Sequence, residues 1–83
     1  MELWHIIPKG DGYTFVCVNQ TTNNYYLAEK KLGPLVKEHL LFESEMEAKD
    51  YLKLHLDPTL YMIERLVIEK EKYYEWRVMT YRT

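Results

Sequence analysis

Four side chains in this sequence are of the types that most often perform acid–base or nucleophilic chemistry, namely His5, His39, His55 and Cys17. His39 and His55 fall on apolar faces with regular spacing, where a lone histidine is more often a packed side chain than a catalyst. Cys17 lies in a β-prone run, with no basic residue or helix N-terminus close in sequence to activate the thiol. The sequence therefore predicts structural rather than catalytic roles for these residues.

Metal and carboxylate chemistry is weakly supported as well. One cysteine and three scattered histidines do not have the spacing of a zinc site. Glu43, Glu45 and Glu47 cluster before an apolar-periodic segment, where acidic residues stabilise the start of a helix. The short motifs of phosphate-binding loops, serine hydrolases and zinc proteases do not occur. We therefore expect a protein that is not an enzyme and that uses no cofactor and no metal.

The residues best suited to binding lie in the stretch YYEWRVMTYR, residues 73–82, in which four of ten residues are aromatic. In a strand, Tyr74, Trp76, Val78 and Thr80 would share an apolar face directed at the core. The opposite face would present tyrosine, methionine and arginine, which are enriched at protein interfaces. The predicted partner-binding residues are Tyr73, Arg77, Met79, Tyr81 and Arg82, with Arg65 and Tyr25 on neighbouring strands.

The same outer face has a second interpretation that requires no partner. Tyrosine and arginine stabilise an exposed antiparallel face through cross-strand pairing alone. The segment before it, residues 60–70, has apolar side chains on both faces of a strand, which favours cover by a target protein or a second copy of the chain.

Size and charge narrow the class of protein. The 83 residues form one domain at most, 1–83, and the net charge of −2 argues against a generic nucleic-acid binder. A single cysteine excludes an internal disulfide framework. MELWHII is too short and not basic enough for a signal sequence, and no apolar run approaches the length of a membrane span, so a cytoplasmic protein without membrane contact is expected.

The first half of the chain reads mainly as strands. Residues 3–8, 13–19 and 25–28 are β-prone, and the turns between them contain Gly10, Gly12, Asn23 and Asn24. The first two segments are predicted to form a hairpin and all three a β-meander. Residues 30–41 predict a loop with one helical turn, which leads into a short extended piece near residues 39–42.

The clearest element is a helix over residues 44–56. Ser44 and Glu47 form a capping box, and an inward face follows at helical spacing. Its residues are Ala48, Tyr51, Leu52 and His55. Glu45 and Lys49 form a favourable pair one turn apart, and Asp57-Pro58 ends the helix.

Residues 60–70 and 72–82 are predicted to form a long terminal hairpin, because the last segment is strongly β-prone. The alternative for residues 58–72 is a helix capped by Asp57 with Pro58 at its first position and an apolar stripe through Leu60, Ile63 and Val67 to Tyr74. The favoured order is βββ-α-ββ. This order predicts an α+β fold in which one main helix packs on one face of a small antiparallel sheet.

Three functions compete on these features. The favoured one is a small protein-binding module, of the type by which phage or mobile elements inhibit a host protein through occlusion. The second is single-stranded nucleic-acid binding through the aromatic and basic C-terminal hairpin, which Glu69, Glu71 and Glu75 weaken. The third is a ligand pocket around His55, Tyr51 and Trp76, which is more often filled core in so small a domain.

Overall fold

A computed structural model describes the backbone of residues 1–81 and the side chains of residues 1–79. Those residues form antiparallel strands and two α-helices, so the predicted α+β class is confirmed. The strands are β1 (Glu2–Pro8), β2 (Thr14–Val18), β3 (Tyr25–Glu29), β4 (Leu41–Phe42) and β5 (Tyr61–Val67). The helices are α1 (Glu45–His55) and α2 (Lys70–Tyr81), and Lys30–Leu32 form one 3-10 turn. Neither of these helices is long and apolar enough to cross a bilayer.

The strands divide into two small sheets. Sheet 1 has the order β4-β1-β5, and sheet 2 pairs β2 with β3. The β2–β3 hairpin confirms the predicted second turn, where Asn23 has a φ of 60°. The predicted β1–β2 hairpin is wrong, because β1 pairs along its whole length with β5, from Glu2 opposite Val67 to Pro8 opposite Tyr61. Seven paired residues hold β1 there, and the turn at residues 9–13 directs β2 into the other sheet.

Residues 38–42 connect the two sheets. His39 forms an antiparallel bridge with Cys17 of β2, and Leu40 N donates to Val16 O at 3.2 Å. Two residues later the chain has crossed to sheet 1, where β4 pairs with β1. The helical turn and the short extended piece expected over residues 30–42 are thus confirmed. The connection carries His39 into the space between the sheets, where it contacts His5 of β1 and Phe15 of β2.

Helix α1 begins as predicted. The Ser44 hydroxyl accepts a hydrogen bond from Glu47 N at 3.2 Å, which satisfies one of the free N–H groups of the first turn. Lys49 Nζ lies 3.2 Å from Glu45 Oε1, as its position one turn later predicts. Ala48 is fully buried, so this side of α1 lies against the sheet.

Replacing Ser44 by alanine is expected to lower the free energy of unfolding by about 1 kcal/mol, because Glu47 N loses its acceptor. Urea unfolding followed by circular dichroism measures this change. Ser44→Asp supplies another capping oxygen and should restore stability. Loss of stability in both variants would show that the hydroxyl does not act as the cap.

The C-terminal segment differs from the prediction. Residues 60–70 contain the expected strand β5, so the helix starting at Asp57 is wrong, but Lys70–Tyr81 are helical rather than a sixth strand. The physical reason lies in the spacing of the two aromatic residues that are buried. Tyr73 and Trp76 are three positions apart, so a helix turns both to one side, whereas a strand would place them on opposite faces.

The core has two apolar clusters among the described residues. One contains Leu3, Ile68, Tyr73 and Trp76, and the other contains Ile7, Phe15 and Cys17. Leu3, His5 and Ile7 share one face of β1, since side chains alternate along a strand. A buried histidine therefore lies on β1 between residues of the two clusters.

Candidate interaction surface

Helix α2 is attached to the sheets by two aromatic side chains. Tyr73 is 5% exposed and Trp76 is 3% exposed, and their rings lie 5.7 Å apart within the first cluster. The Trp76 indole Nε1–H donates to Val36 O at 2.7 Å, and the Tyr73 hydroxyl donates to Glu43 Oε1 at 2.7 Å. These bonds tie the helix to the loop before β4 and to the residue before the α1 cap.

The helical conformation corrects the predicted faces of residues 73–79. Tyr73 was expected on the outer face and is buried, whereas Tyr74 and Val78 were expected in the core and are exposed. The burial expected for Trp76 is confirmed. The errors have one cause, since a period of 3.6 residues replaces the assumed period of two.

The other predicted binding residues are distributed over the molecule. Arg77 and Met79 are exposed on α2. Arg65 pairs with Glu2 at 3.0 Å, on the face of β5 opposite Leu66, and the Tyr25 hydroxyl lies 2.9 Å from that of Tyr51 on α1. The Tyr81 side chain and all of Arg82 lie outside the described residues. Of the seven residues, the structure brings Tyr73 and Arg77 to one hollow beside α2, whereas Met79 lines a different hollow beside the same helix.

An apolar groove follows one side of α2. It consists of two hollows of about 270 and 340 Å³ that share Leu35 and Lys72. Its apolar lining is Leu32, Leu35, Val67, Trp76 and Met79. Leu32 is 64% exposed, Val67 73% and Met79 51%, so large apolar side chains that line the two hollows are accessible to solvent. Glu69, Lys72 and Glu75 form the polar rim.

An acidic groove lies beside Tyr73 and Arg77 of the same helix. This hollow of about 420 Å³ is lined by Leu41, Phe42, Glu43, Glu47, Tyr73 and Arg77. The Arg77 guanidinium is 3.9 Å from Glu43, and both side chains are more than half exposed, so the pair holds little interaction energy. The groove therefore has two carboxylates against one loosely paired cation.

The histidines and the cysteine have the following positions. His5, His39 and Cys17 are buried, and His55 is exposed on α1 with its ring 4.5 Å from that of Tyr51. Burial lowers the pKa of His39 to about 3 and raises the pKa of the Cys17 thiol to about 11. Cys17 is thus a protonated, weakly nucleophilic thiol at neutral pH. Within residues 1–81, no three or more His, Cys, Asp or Glu side chains group as metal ligands would.

The residues of the third hypothesis do not share a site. Trp76 belongs to α2 and packs in the first cluster, whereas the Tyr51 ring contacts His55 on its own helix and Phe42 at the end of β4. Sequence reasoning also missed residues that line the apolar groove, namely Leu32, Leu35 and Val67. The signal for Leu32 and Leu35 was their position on either side of Gly33-Pro34, and Val67 ends strand β5, but the proximity of all three to α2 depends on the fold.

Comparison of the chain with protein-family models, curated proteins and solved structures finds no match.

Proposed function

We propose that the protein is a non-catalytic protein-binding module and that the apolar groove beside α2 is its docking surface. The observation that carries the proposal is a pair of adjoining hollows that share Leu35 and Lys72. Leu32 and Val67, both more than half exposed, line one of them, and Met79, also more than half exposed, lines the other beside Trp76. Contiguous exposed apolar surface with a polar rim is typical of interaction sites.

The charges around α2 favour a particular partner. Glu69 and Glu75 line the apolar groove, and Glu43 and Glu47 line the acidic groove. A segment of another protein that inserts an apolar side chain and carries lysine or arginine beside it fits this arrangement. An acidic segment would meet an excess of negative charge in both grooves, because two carboxylates outnumber Lys72 in one and Arg77 in the other.

The burial of most of the reactive side chains supports the non-catalytic part of the proposal. Three of the four side chains with the most versatile chemistry, His5, His39 and Cys17, are buried, and the thiol is held in its protonated form, whereas His55 is exposed. A more specific hypothesis is that the protein inhibits a host protein by occlusion, in the manner of phage or mobile-element proteins. It rests on the small size of the chain and on the type of compact domain that it forms. Nucleic-acid binding relied on an exposed aromatic strand, and with Tyr73 and Trp76 buried no observation favours it.

The docking surface can be tested with two synthetic peptide series that carry the same leucine and phenylalanine anchors, one flanked by lysine and the other by glutamate. Chemical-shift mapping by NMR is expected to show the lysine series binding at Val67, Trp76 and Met79. Met79→Lys should weaken that binding about tenfold or more, because the anchors lose an apolar contact and the new cation repels the lysine flanks.

Met46→Lys is the matched control, since Met46 is an exposed methionine on α1. It is expected to bind the lysine-flanked peptides like the unmodified protein. Absence of binding in both series, or equal loss in the two methionine variants, contradicts the proposed surface.

A further inference from the structure

A continuous chain of polar contacts crosses the space between the two apolar clusters. Lys30 Nζ donates to the Glu64 carboxylate at 3.1 Å, and Glu64 Oε1 lies 2.7 Å from His5 Nε2. His5 Nδ1 lies 3.0 Å from His39 Nε2, and His39 Nδ1 contacts Pro34 O. Every nitrogen of the two imidazoles is used. The chain joins β5, β1 and the loop that precedes β4.

Counting hydrogens shows that two neutral histidines cannot complete this chain. The Glu64 carboxylate at one end and the Pro34 carbonyl at the other only accept hydrogen bonds. Three contacts lie between them, and each requires one hydrogen. Two neutral imidazoles carry two hydrogens, one each. The complete chain therefore requires a third proton on the histidine pair.

We propose that the His5–His39 pair is a proton-binding site, and that the third proton, carried by His5 beside Glu64, fastens the loop of residues 34–36 to the sheets. The proton comes from solvent and no bond between heavy atoms changes. The site itself is independent of any partner. Its effect on docking rests on the proposed function, because residue 35 lines the apolar groove.

The surroundings of the two rings assign the charge to His5. Its Nε2 faces the Glu64 carboxylate, and the other charged group near it, Lys30, is already paired with that carboxylate. His39 faces a carbonyl oxygen, the His5 ring, and the Phe15 ring stacked at a centroid distance of 4.0 Å. The residue paired with His39 across the β-bridge, Cys17, has a neutral thiol at pH 7 and below. Among the described side chains no carboxylate bonds to His39, so it stays neutral and donates to Pro34 O.

Loss of the third proton forces a choice on His39. The carboxylate keeps the hydrogen on His5 Nε2, so His5 Nδ1 can only accept. His39 then has one N–H for two acceptors, His5 Nδ1 and Pro34 O. One contact must break, and the loop is released whenever His39 turns its hydrogen to His5.

The loop transmits this choice to α2. Leu35 and Val36 follow residue 34 directly in the chain. Leu35 lines the groove, and Val36 O accepts the Trp76 indole hydrogen, so a movement of residue 34 reaches both contacts. Burial lowers the pKa of His5 from its ordinary value of 6.5, and the carboxylate opposes that shift. The proton therefore enters below pH 6.5 and fastens the loop as the solution becomes acidic.

Imidazole nitrogen NMR on the free protein between pH 8 and pH 5 tests the site directly. The expected result is protonation of both His5 nitrogens, with His39 remaining a neutral Nδ1–H tautomer. The Trp76 indole hydrogen should shift with the same midpoint as His5.

Glu64→Gln provides the decisive variant. Its side-chain amide donates to His5 Nε2 and so supplies the third hydrogen without an added proton. The His5 midpoint is expected to fall by about one pH unit or more, and the Trp76 signal should lose its pH dependence. Two neutral histidines at pH 5 in the unmodified protein, or an unchanged His5 midpoint in Glu64→Gln, overturns the proposal.

The proton site and the docking surface fail separately. If the peptides described above do not bind, the NMR titration of the free protein still decides the proton site. If His5 does not take up the proton, peptide binding at pH 7 still decides the docking surface. When both are correct, lysine-flanked peptides should bind with different affinity at pH 5.5 and pH 7.5 in the unmodified protein and with equal affinity in Glu64→Gln.

Discussion

Trp76→Ala is expected to lower the free energy of unfolding by about 4 kcal/mol. Its side chain fills the first cluster beside Leu3, Ile68 and Tyr73, so truncation removes apolar contact and leaves a cavity. The indole hydrogen bond to Val36 O is lost as well, which leaves a carbonyl without that donor. For a domain of this size such a loss is a large part of the total stability. Denaturant unfolding followed by circular dichroism measures it.

Two further variants separate the contributions. Trp76→Phe keeps an aromatic ring but removes the hydrogen bond, and is expected to cost about 1–2 kcal/mol beyond the smaller ring's lost contact. Tyr74→Ala is the matched control, because Tyr74 lies on the exposed side of the same helix, and should change stability by about 0.5 kcal/mol. Equal costs for Trp76→Ala and Tyr74→Ala would mean that α2 is not anchored through Trp76.

The features that sequence predicts well in this protein are those decided by neighbouring residues. The Ser44 cap, the turn at Asn23 and the break at Asp57-Pro58 depend on side chains and backbone within a few positions. The segment around each of these has the predicted structure. Strands β2 and β3 also pair as predicted, because a short turn leaves them adjacent.

The features that sequence predicts poorly depend on distant partners. β1 could pair with β2 or with β5, and nothing within either strand distinguishes a near partner from one almost sixty residues away. The same pairing decides the chemistry of His5, since it places Glu64 directly opposite. In the sequence, His5 and Glu64 are far apart and nothing indicates that they meet.

Helix α2 shows how a local preference can mislead. Its tyrosines, tryptophan and valine are typical strand residues, yet strand propensity reflects packing on neighbours more than an intrinsic backbone preference. Here the cluster around Leu3 accepts two aromatic rings from one side only. Spacing of three then decides the conformation, and the binding surface moves from a sheet face to the flanks of a helix.

The buried histidines make stability depend on pH, and acidification from pH 7 to pH 5 is expected to lower it by about 2 kcal/mol. The pKa of His39 in the folded protein is about 3, below its ordinary value of 6.5. The unfolded chain therefore binds more protons than the folded protein between these values. The contribution of neutral His39 to the free energy of unfolding is fully present above pH 6.5 and decreases as the pH falls, by about 1.4 kcal/mol per pH unit.

Burial also lowers the pKa of His5, so this residue adds a loss of the same sign just below pH 6.5. Acid thus fastens the loop of residues 34–36 within the folded state and at the same time weakens the folded state against unfolding. The two effects are compatible because the unfolded chain takes up a proton on each histidine, whereas the folded pair takes up one. Unfolding midpoints in urea between pH 7 and pH 5 measure the global effect, and the NMR signals measure the local one.

His39→Phe isolates the contribution of His39. Phenylalanine keeps a ring against Phe15 but cannot titrate, so the dependence of stability on pH should become shallower even though the variant starts less stable at pH 7. His55→Asn removes an exposed histidine instead and should retain the original slope. If the slope is unchanged in His39→Phe and reduced in His55→Asn, the buried pair is not the source of the pH dependence. A slope that survives in both variants would assign it to His5, where Glu64 and the third proton act.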